Sequence, residues 1–155
     1  MNAVNAMAAK YDMPILYSCH PRSQKIIEKR GFIFDKRVIR HQPLGFHDYN
    51  HLQQNAYCVV SDSGTVPEEG AYFRFPAVSI RTSTERPEAM DKGVFVIGCI
   101  TTEQVLQAVE LAVGMAENGD LPIRVPAYED TNVATKVVKL IQSYTGIVNK
   151  MIWRK

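Results

Sequence analysis

The chain has 155 residues, a formal net charge of +2 and 22% charged residues, which is typical of one globular domain with its own core. No basic run stands out, which argues against nucleic acid as a partner, and no apolar run approaches the length of a membrane span. Three well-separated cysteines, Cys19, Cys58 and Cys99, favour a reducing cytoplasm, because no disulfide framework or C-x-x-C metal pair is present. The four histidines lack a ligand spacing, so we expect neither a metal nor another cofactor.

The first residues, MNAVNAMAAKYDMP, lack the charged start and the long apolar core of a signal peptide. Their pattern is typical of the amphipathic end of a helix. A helix that begins at residue 1 without a capping residue suggests that the chain has been cut from a longer one.

Short apolar runs then alternate with helical patterns along the chain. The predicted strands are 14–20, 36–41, 57–61, 76–81 and 94–99. The predicted helices are 22–30, 49–56, 64–74, 84–93, 101–118 and 130–144, and 118–130 is the one long irregular stretch.

Local signals support these boundaries. Gly31 and Gly93 are good helix stops, Pro67 falls in a first helical turn, and Thr101 or Thr102 is a suitable cap. Alternating strands and helices at this spacing predict right-handed βαβ units and a parallel sheet. With no internal repeat and no linker, residues 1–155 are predicted to form a single α/β, Rossmann-like domain.

Two polar turns follow successive strands, where ligands bind in open parallel sheets. In the first, Ser63, Gly64 and Thr65 open a helix, whose unpaired N–H groups and dipole suit a phosphate. The alternative is that Asp62 or Ser63 merely caps this helix, and capping is the commoner role. The Gly-rich dinucleotide fingerprint and the P-loop motif are both absent.

Glu68 and Glu69 lie one turn further along the same helix. Neighbouring helical side chains point about 100° apart, so the two carboxylates cannot share one task. One could turn to the ligand and accept hydrogen bonds from both hydroxyls of a ribose. The alternative is that both only complement the helix dipole.

In the second turn, Arg86 is a planar double donor suited to phosphate, unless it only forms a surface ion pair with Glu85 or Glu88. His20 also ends a strand, where a capping or packing role is commoner than a ligand role. Tyr49 opens a helix and could stack on a flat base, although such aromatics more often belong to a core.

The segments SDSGTVPEE and FPAVSIRTSTERPEAMDKG closely resemble the signature of the non-hydrolysing UDP-N-acetylglucosamine 2-epimerase family. That family has an Asp-Ser-Gly-Gly turn, a Glu pair, a P-x-L-x-x-R strand and a T-E-R-P-E turn. The resemblance continues to VPAYEDTNVATKVVKLI, which is similar to the family's N-P-Y-G-D-G segment, and so covers nearly the whole chain. The capsule and O-antigen branch, which acts on UDP-2-acetamido-2,6-dideoxy-L-sugars, resembles it most.

The resemblance implies the C-terminal half of a two-domain, glycosyltransferase-B-like fold with UDP in the cleft. Ser63, Gly64 and Thr65 would then hold the diphosphate, and Arg86 would contact the phosphates. By the same resemblance, Glu69 would bind the ribose, and Tyr49 would lie near the uracil. His20 would lie near the sugar-nucleotide pocket, where some members bind a second, activating UDP-sugar.

The sequence departs from the family pattern at four positions. Thr65 stands where a second Gly is common, and Pro67 replaces a common Gln. Glu129 and Thr131 replace glycines of the closing segment. These differences indicate a divergent branch, in which single contacts can differ from those of the family.

The family reaction breaks the anomeric C–O bond, removes the C2 proton, and re-adds UDP to a 2-acetamidoglucal. The resemblance implies that the catalytic carboxylates lie in the first domain, so this chain would hold no catalytic residue and be inactive alone. The partner would be UDP or a UDP-N-acetylhexosamine, and the full-length enzyme a cytoplasmic homodimer for surface polysaccharide synthesis. The alternatives are the donor domain of a glycosyltransferase-B enzyme, a stand-alone nucleotide-binding regulatory module, and a domain without a ligand.

Overall fold

The computed structural model describes all of residues 1–155. The helices are α1 Asn2–Tyr11, α2 Pro21–Lys29, α3 Phe46–Gln54, α4 Val66–Phe73, α5 Pro87–Asp91, α6 Thr102–Glu117 and α7 Val133–Val148. The strands are β1 Ile15–Ser18, β2 Val38–His41, β3 Val59–Ser61, β4 Ala77–Ser79 and β5 Val96–Ile97. The chain divides into two compact units, Met1–Val125 and Pro126–Lys155.

Every strand pair in the first unit is parallel, as the alternation of strands and helices predicts. β1 pairs with β2, and β3, β4 and β5 form a second sheet in that order. The prediction of one parallel sheet is therefore wrong in detail, because no ladder of hydrogen bonds joins β1 or β2 to β3. The strands have only two to four residues, so each offers few backbone groups for a further ladder.

The predicted helix ends are confirmed where glycine or threonine supplies the signal. Gly31 and Gly93 follow the ends of α2 and α5 with φ of +59° and +62°, a conformation that glycine adopts without strain. Thr101 is the cap of α6, and its hydroxyl accepts from the Gln104 N–H at 3.3 Å.

Three helix starts differ from the prediction by three residues, those of α3, α5 and α7, the last of which begins at Val133 rather than at Asp130. α3 begins at Phe46, three residues before Tyr49, because Gly45 is extended and serves as its N-cap. α5 begins only at Pro87, because the residue before a proline avoids the helical region, and Arg86 has φ −122° and ψ 64°.

The core lies where the central strand β4 meets α6 and α1. All three residues of β4 are buried, whereas β3, predicted to be covered on both faces, is only half-buried. The cluster comprises Met7 of α1, Val78 of β4, and Val105, Ala108, Val109, Ala112 and Val113 of α6. This packing anchors β4, and the parallel ladder between β3 and β4 places their carboxyl ends next to each other.

The second unit contains a short 3₁₀ turn, Pro126–Tyr128, then α7, and a π-helical turn at Asn149–Trp153. Among the apolar residues of α7, Leu140, Ile141 and Ile147 are each more than half exposed. In all seven helices, either the length or the apolar character falls short of what a bilayer crossing needs.

Candidate functional site

The two polar turns lie side by side at one edge of the second sheet. Ser61, the last residue of β3, is in register with Ser79, the last residue of β4. The Ile80 N–H donates to the Ser61 carbonyl at 3.0 Å, which holds the two segments together where the strands end. The expectation from the two successive strands is confirmed: both turns leave from adjacent positions.

Hydroxyl groups hold the first turn in shape. The Ser61 Oγ accepts from the Ser63 N–H at 3.0 Å, and the Ser63 Oγ accepts from the Thr65 N–H at 3.3 Å. The Ser63 and Thr65 hydroxyls are 2.9 Å apart. The N-cap of α4 is Thr65, without a side-chain capping bond, so the alternative that Asp62 or Ser63 caps this helix is wrong.

Arg81 connects the two turns, and the sequence prediction assigned it no role. Its Nε donates to the Asp62 carbonyl at 2.7 Å, and its Nη1 is 3.4 Å from a Glu85 carboxylate oxygen. Arg81 occupies the Arg position of the P-x-L-x-x-R pattern. That pattern was the signal that could have identified it, because a strand-end arginine reaches the neighbouring turn.

Arg86 extends from the second turn to the first helical turn of α4. Its Nε donates to Glu68 Oε1 at 2.6 Å, and its Nη1 donates to the Glu85 carbonyl at 3.3 Å. The side chains of Arg86 and Glu68 are 38% and 34% exposed, so this pair is neither buried nor fully solvated. The predicted alternative placed the ion pair with Glu85 or Glu88, whereas Glu68 receives the Nε hydrogen bond.

A pocket opens between the two turns, and polar groups from both line it. The lining residues are Ser63, Gly64, Pro67, Ser79, Arg81, Thr84, Glu85 and Arg86. Two arginines, hydroxyl groups and the start of a helix surround this space, which is the donor chemistry that binds a phosphate group. Of the predicted diphosphate residues, Ser63, Gly64 and Arg86 line the pocket, and Thr65 is next to it at the helix cap.

Glu69 and Tyr49 belong to a second polar cluster rather than to the lining of this pocket. The Gln53 Nε2 donates to Glu69 Oε2 at 2.6 Å, so α3 supports the Glu69 side chain. Burial raises the pKa of Tyr49 above its ordinary value; the charge of Glu69 adds to this rise, and a hydrogen bond with Gln53 opposes it. Glu68 and Glu69 therefore have different partners, as their separation around the helix predicts.

His20 caps α2, which is the commoner of the two roles considered for it. Its Nδ1 accepts from the Arg22 N–H at 3.3 Å, and Pro21 follows as the first helical residue. His20 follows β1 in the first sheet, whereas the pocket lies at the end of the second. No group of three or more His, Cys, Asp or Glu side chains is placed to hold a metal ion.

These features define the class of the protein: an α/β domain with a polar pocket at the carboxyl ends of parallel strands. A family model described as UDP-N-acetylglucosamine 2-epimerase matches residues 1–142. The chain therefore belongs to the UDP-N-acetylglucosamine 2-epimerase family, and the predicted membership is confirmed.

Curated relatives agree with this assignment. The chain is 31% identical over 117 residues to UDP-N-acetylglucosamine 2-epimerase of Methanocaldococcus jannaschii, which covers 72% of this chain and 32% of that protein. It is 26% identical over 127 residues to UDP-2,3-diacetamido-2,3-dideoxy-D-glucuronate 2-epimerase of Pseudomonas aeruginosa, covering 82% of this chain and 35% of that protein. The chain thus spans about a third of the length of these relatives.

Solved structures confirm the fold. The structure of UDP-N-acetylglucosamine 2-epimerase from Rickettsia bellii superimposes with a TM-score of 0.78 at 33% identity, over 99% of this chain and 43% of that one. The Methanocaldococcus jannaschii enzyme in complex with UDP-GlcNAc and UDP gives a TM-score of 0.75 at 24% identity, over 92% of this chain and 39% of that one. The predicted α/β fold, as part of a glycosyltransferase-B-like architecture, is confirmed.

Proposed function

We propose that this chain is the UDP-binding part of a UDP-sugar 2-epimerase, with the diphosphate between the two polar turns. The observation that carries the proposal is that Ser63, Gly64 and Arg86, singled out from separate turns, line one pocket. Family membership supplies the nucleotide sugar as the class of ligand. The domain 1–155 would then hold the nucleotide of a larger enzyme.

The phosphate contacts follow from the charges around the pocket. Arg86 provides a cationic donor whose position is fixed by Glu68, and Arg81 adds a second cation already anchored to the Asp62 carbonyl. The start of α4 adds backbone N–H groups and partial positive charge. Two anchored arginines lose little conformational entropy when a diphosphate binds, which favours affinity.

The nucleoside would lie toward the second polar cluster. We assign Glu69 to the ribose hydroxyls and Tyr49 to the neighbourhood of the uracil, because both side chains form hydrogen bonds with Gln53 and so belong to one cluster. His20 is assigned to a contact near the sugar nucleotide or an activating UDP-sugar. The cap bond of His20 uses Nδ1, so this assignment concerns Nε2.

The chemistry proposed for the whole enzyme is inversion at C2 of a UDP-2-acetamido sugar through elimination and re-addition of UDP. That reaction needs acid and base groups, which we place in the two-thirds of the relatives' length that this chain does not match. The chain alone is therefore proposed to be inactive, and the full-length protein to be a cytoplasmic homodimer that supplies surface polysaccharide synthesis. The diacetamidoglucuronate epimerase among the relatives supports that role.

Calorimetric titration with UDP tests the proposal, with uridine as the ligand that lacks phosphate. Arg86→Ala should lower UDP affinity at least tenfold, because hydrogen bonds to charged groups contribute about 1.5–3 kcal/mol. Arg86→Lys keeps the positive charge but loses the planar guanidinium, so its UDP affinity should lie between that of the unmodified chain and that of Arg86→Ala. Uridine affinity should stay unchanged in both variants. Saturable UDP binding that is insensitive to Arg86 would contradict the placement of the diphosphate.

A further inference from the structure

Gln53 is the most buried polar residue of the first compact unit, and its amide contacts a proposed ligand-binding carboxylate. Its side chain is 3% exposed, and its Nε2 donates to Glu69 Oε2 at 2.6 Å. Asn50, one turn earlier on the same face of α3, is 6% exposed and donates to the Phe46 carbonyl at 2.7 Å. Glutamine and asparagine are mostly exposed in folded proteins, so two buried amides on one face of α3 are unusual.

The burial of Gln53 is costly for stability. Its Oε1 is inaccessible to solvent and has no hydrogen-bond partner, and a buried polar atom without a partner destabilises a fold. A methionine would fill nearly the same space without that penalty. The amide offsets part of this cost through its bond to Glu69, and it also has a hydrogen bond with Tyr49 of the same cluster. This arrangement indicates that the benefit of the buried amide lies in how it holds Glu69.

The orientation of the amide follows from chemistry. If the amide were reversed, Oε1 would face Glu69 Oε2, and two acceptors would meet at 2.6 Å. Nε2 must therefore face the carboxylate, and the carboxylate plane is fixed by this donor. With Oε2 engaged, Oε1 of Glu69 keeps a defined direction for a ligand.

We propose that Gln53 is a positioning residue that orients Glu69 to accept hydrogen bonds from the vicinal hydroxyls of a ribose. This inference rests on the proposed function, because it assumes that Glu69 binds the ribose. It goes further in naming the residue that makes the site selective for ribonucleotides over analogues without those hydroxyls. Tyr49 supports the cluster as a neutral phenol, because burial and the charge of Glu69 raise its pKa.

The test compares UDP with 2′,3′-dideoxy-UDP on the 155-residue chain by calorimetry. Gln53→Met should lower UDP affinity about fivefold, the effect of one ordinary hydrogen bond, and leave the affinity for the dideoxy ligand unchanged. In Gln53→Met, the ratio of UDP affinity to dideoxy-UDP affinity should therefore fall toward the ratio measured for Glu69→Gln. Equal loss for both ligands, or no loss for UDP, would overturn the inference, because a purely structural role would not depend on the ribose hydroxyls.

Glu69→Gln separates the inference from the proposed function. If Glu69→Gln leaves the ratio unchanged, the ribose role of Glu69 fails, and the inference fails with it. If Glu69→Gln lowers the ratio while Gln53→Met does not, only the inference about Gln53 fails. Absence of saturable UDP binding to the unmodified chain would contradict the proposal that this chain holds the nucleotide.

Gln53→Glu provides a pH-dependent rescue. Two carboxylates at this distance share a proton at low pH, and the protonated group can donate to Glu69 as the amide does. The ratio of UDP to dideoxy-UDP affinity should therefore be low at pH 8 and rise toward the unmodified value at pH 5. The diphosphate is common to both ligands, so its own titration cancels. A ratio that does not change with pH in Gln53→Glu would overturn the positioning role.

Discussion

Two glycines follow strands of the same sheet, and they have opposite surroundings. At Gly98, after β5, an added Cβ would lie 2.7 Å from Val78 Cγ1 and 3.2 Å from Ala108 Cβ. At Gly64, after β3, the nearest atom would be Arg81 Nη2 at 4.0 Å. The carboxyl edge of the sheet is therefore closed by packing at β5 and open and polar at β3, where a ligand can approach.

The comparison predicts that Gly98→Ala has the largest effect on stability. The Cβ would collide with a fully buried strand and with α6, and overpacking a core costs about 1–3 kcal/mol, so we expect a loss of about 3 kcal/mol in the free energy of unfolding. Urea unfolding monitored by circular dichroism measures it. A loss below about 0.5 kcal/mol would show that the residues packed around Gly98 can shift to accept a methyl group.

Gly64→Ala should instead spare the fold and weaken the ligand. The backbone of Gly64 does not need a positive φ and the space accepts a methyl group, so stability should change by no more than about 0.5 kcal/mol. The added Cβ faces the arginine side of the pocket and should lower UDP affinity about tenfold, or about 1.4 kcal/mol. Calorimetry checks this, and an unchanged affinity would remove Gly64 from the diphosphate site.

Gly114→Ala is the matched control for the two substitutions. Gly114 lies inside α6, and its added Cβ would meet no atom within 4 Å. Alanine in a helix interior is more favourable than glycine by about 0.5–1 kcal/mol, so the free energy of unfolding should rise by that amount. UDP affinity should not change. A destabilised Gly114→Ala chain would mean that the spacing around α6 differs from the structure.

Polar contacts away from the packed edge should contribute least to the free energy of unfolding. The ion pair of Asp35, next to the first sheet, provides a test. The Arg37 guanidinium donates to both Asp35 oxygens, at 2.8 and 2.7 Å, and holds the pKa of Asp35 well below its ordinary value. A lowered pKa in the folded state stabilises the protein above the unfolded pKa of about 3.9 and loses that effect as pH falls. Asp35→Asn should therefore be slightly less stable at pH 7.

The pH and salt dependence of this small difference provides its control. The stability gap between the unmodified chain and Asp35→Asn should narrow between pH 4 and pH 2, because Asp35 of the unfolded chain takes up a proton there while the ion pair keeps the folded carboxylate ionised. It should also narrow in 0.5 M NaCl at pH 7, because the pair is solvent-accessible and salt screens it. A stability gap that changes with neither pH nor salt concentration would contradict an electrostatic origin of the difference.

The sequence predicted the features that depend on local signals. Glycine after a helix, threonine before one and an apolar run of strand length each act within a few residues. The helix stops at Gly31 and Gly93 were therefore assigned correctly, and Thr101 is one of the two threonines predicted as a cap. The adjacency of the two turns followed from the rule that parallel strands end at the same edge. The UDP-binding roles of individual residues stay predictions.

The contacts that depend on tertiary neighbours could not be predicted in the same way. Arg81 meets Asp62 across two strands, and Gln53 meets Glu69 across two helices, so neither partner is defined by spacing in the sequence. The pairing of Arg86 with Glu68 was missed for the same reason. The division into two sheets depends on ladder geometry between short strands, which the residue pattern does not encode.

The most direct test of the nucleotide site is a UDP titration followed by amide NMR shifts of the isotope-labelled chain. We expect saturable shifts at Gly64 and its neighbours, at Thr84–Arg86 and at Glu69, with Gly98, Gly114 and Gly119 unaffected as internal references. Shifts confined to other parts of the chain, or none at millimolar UDP, would contradict the claim that the open edge after β3 and β4 binds the nucleotide.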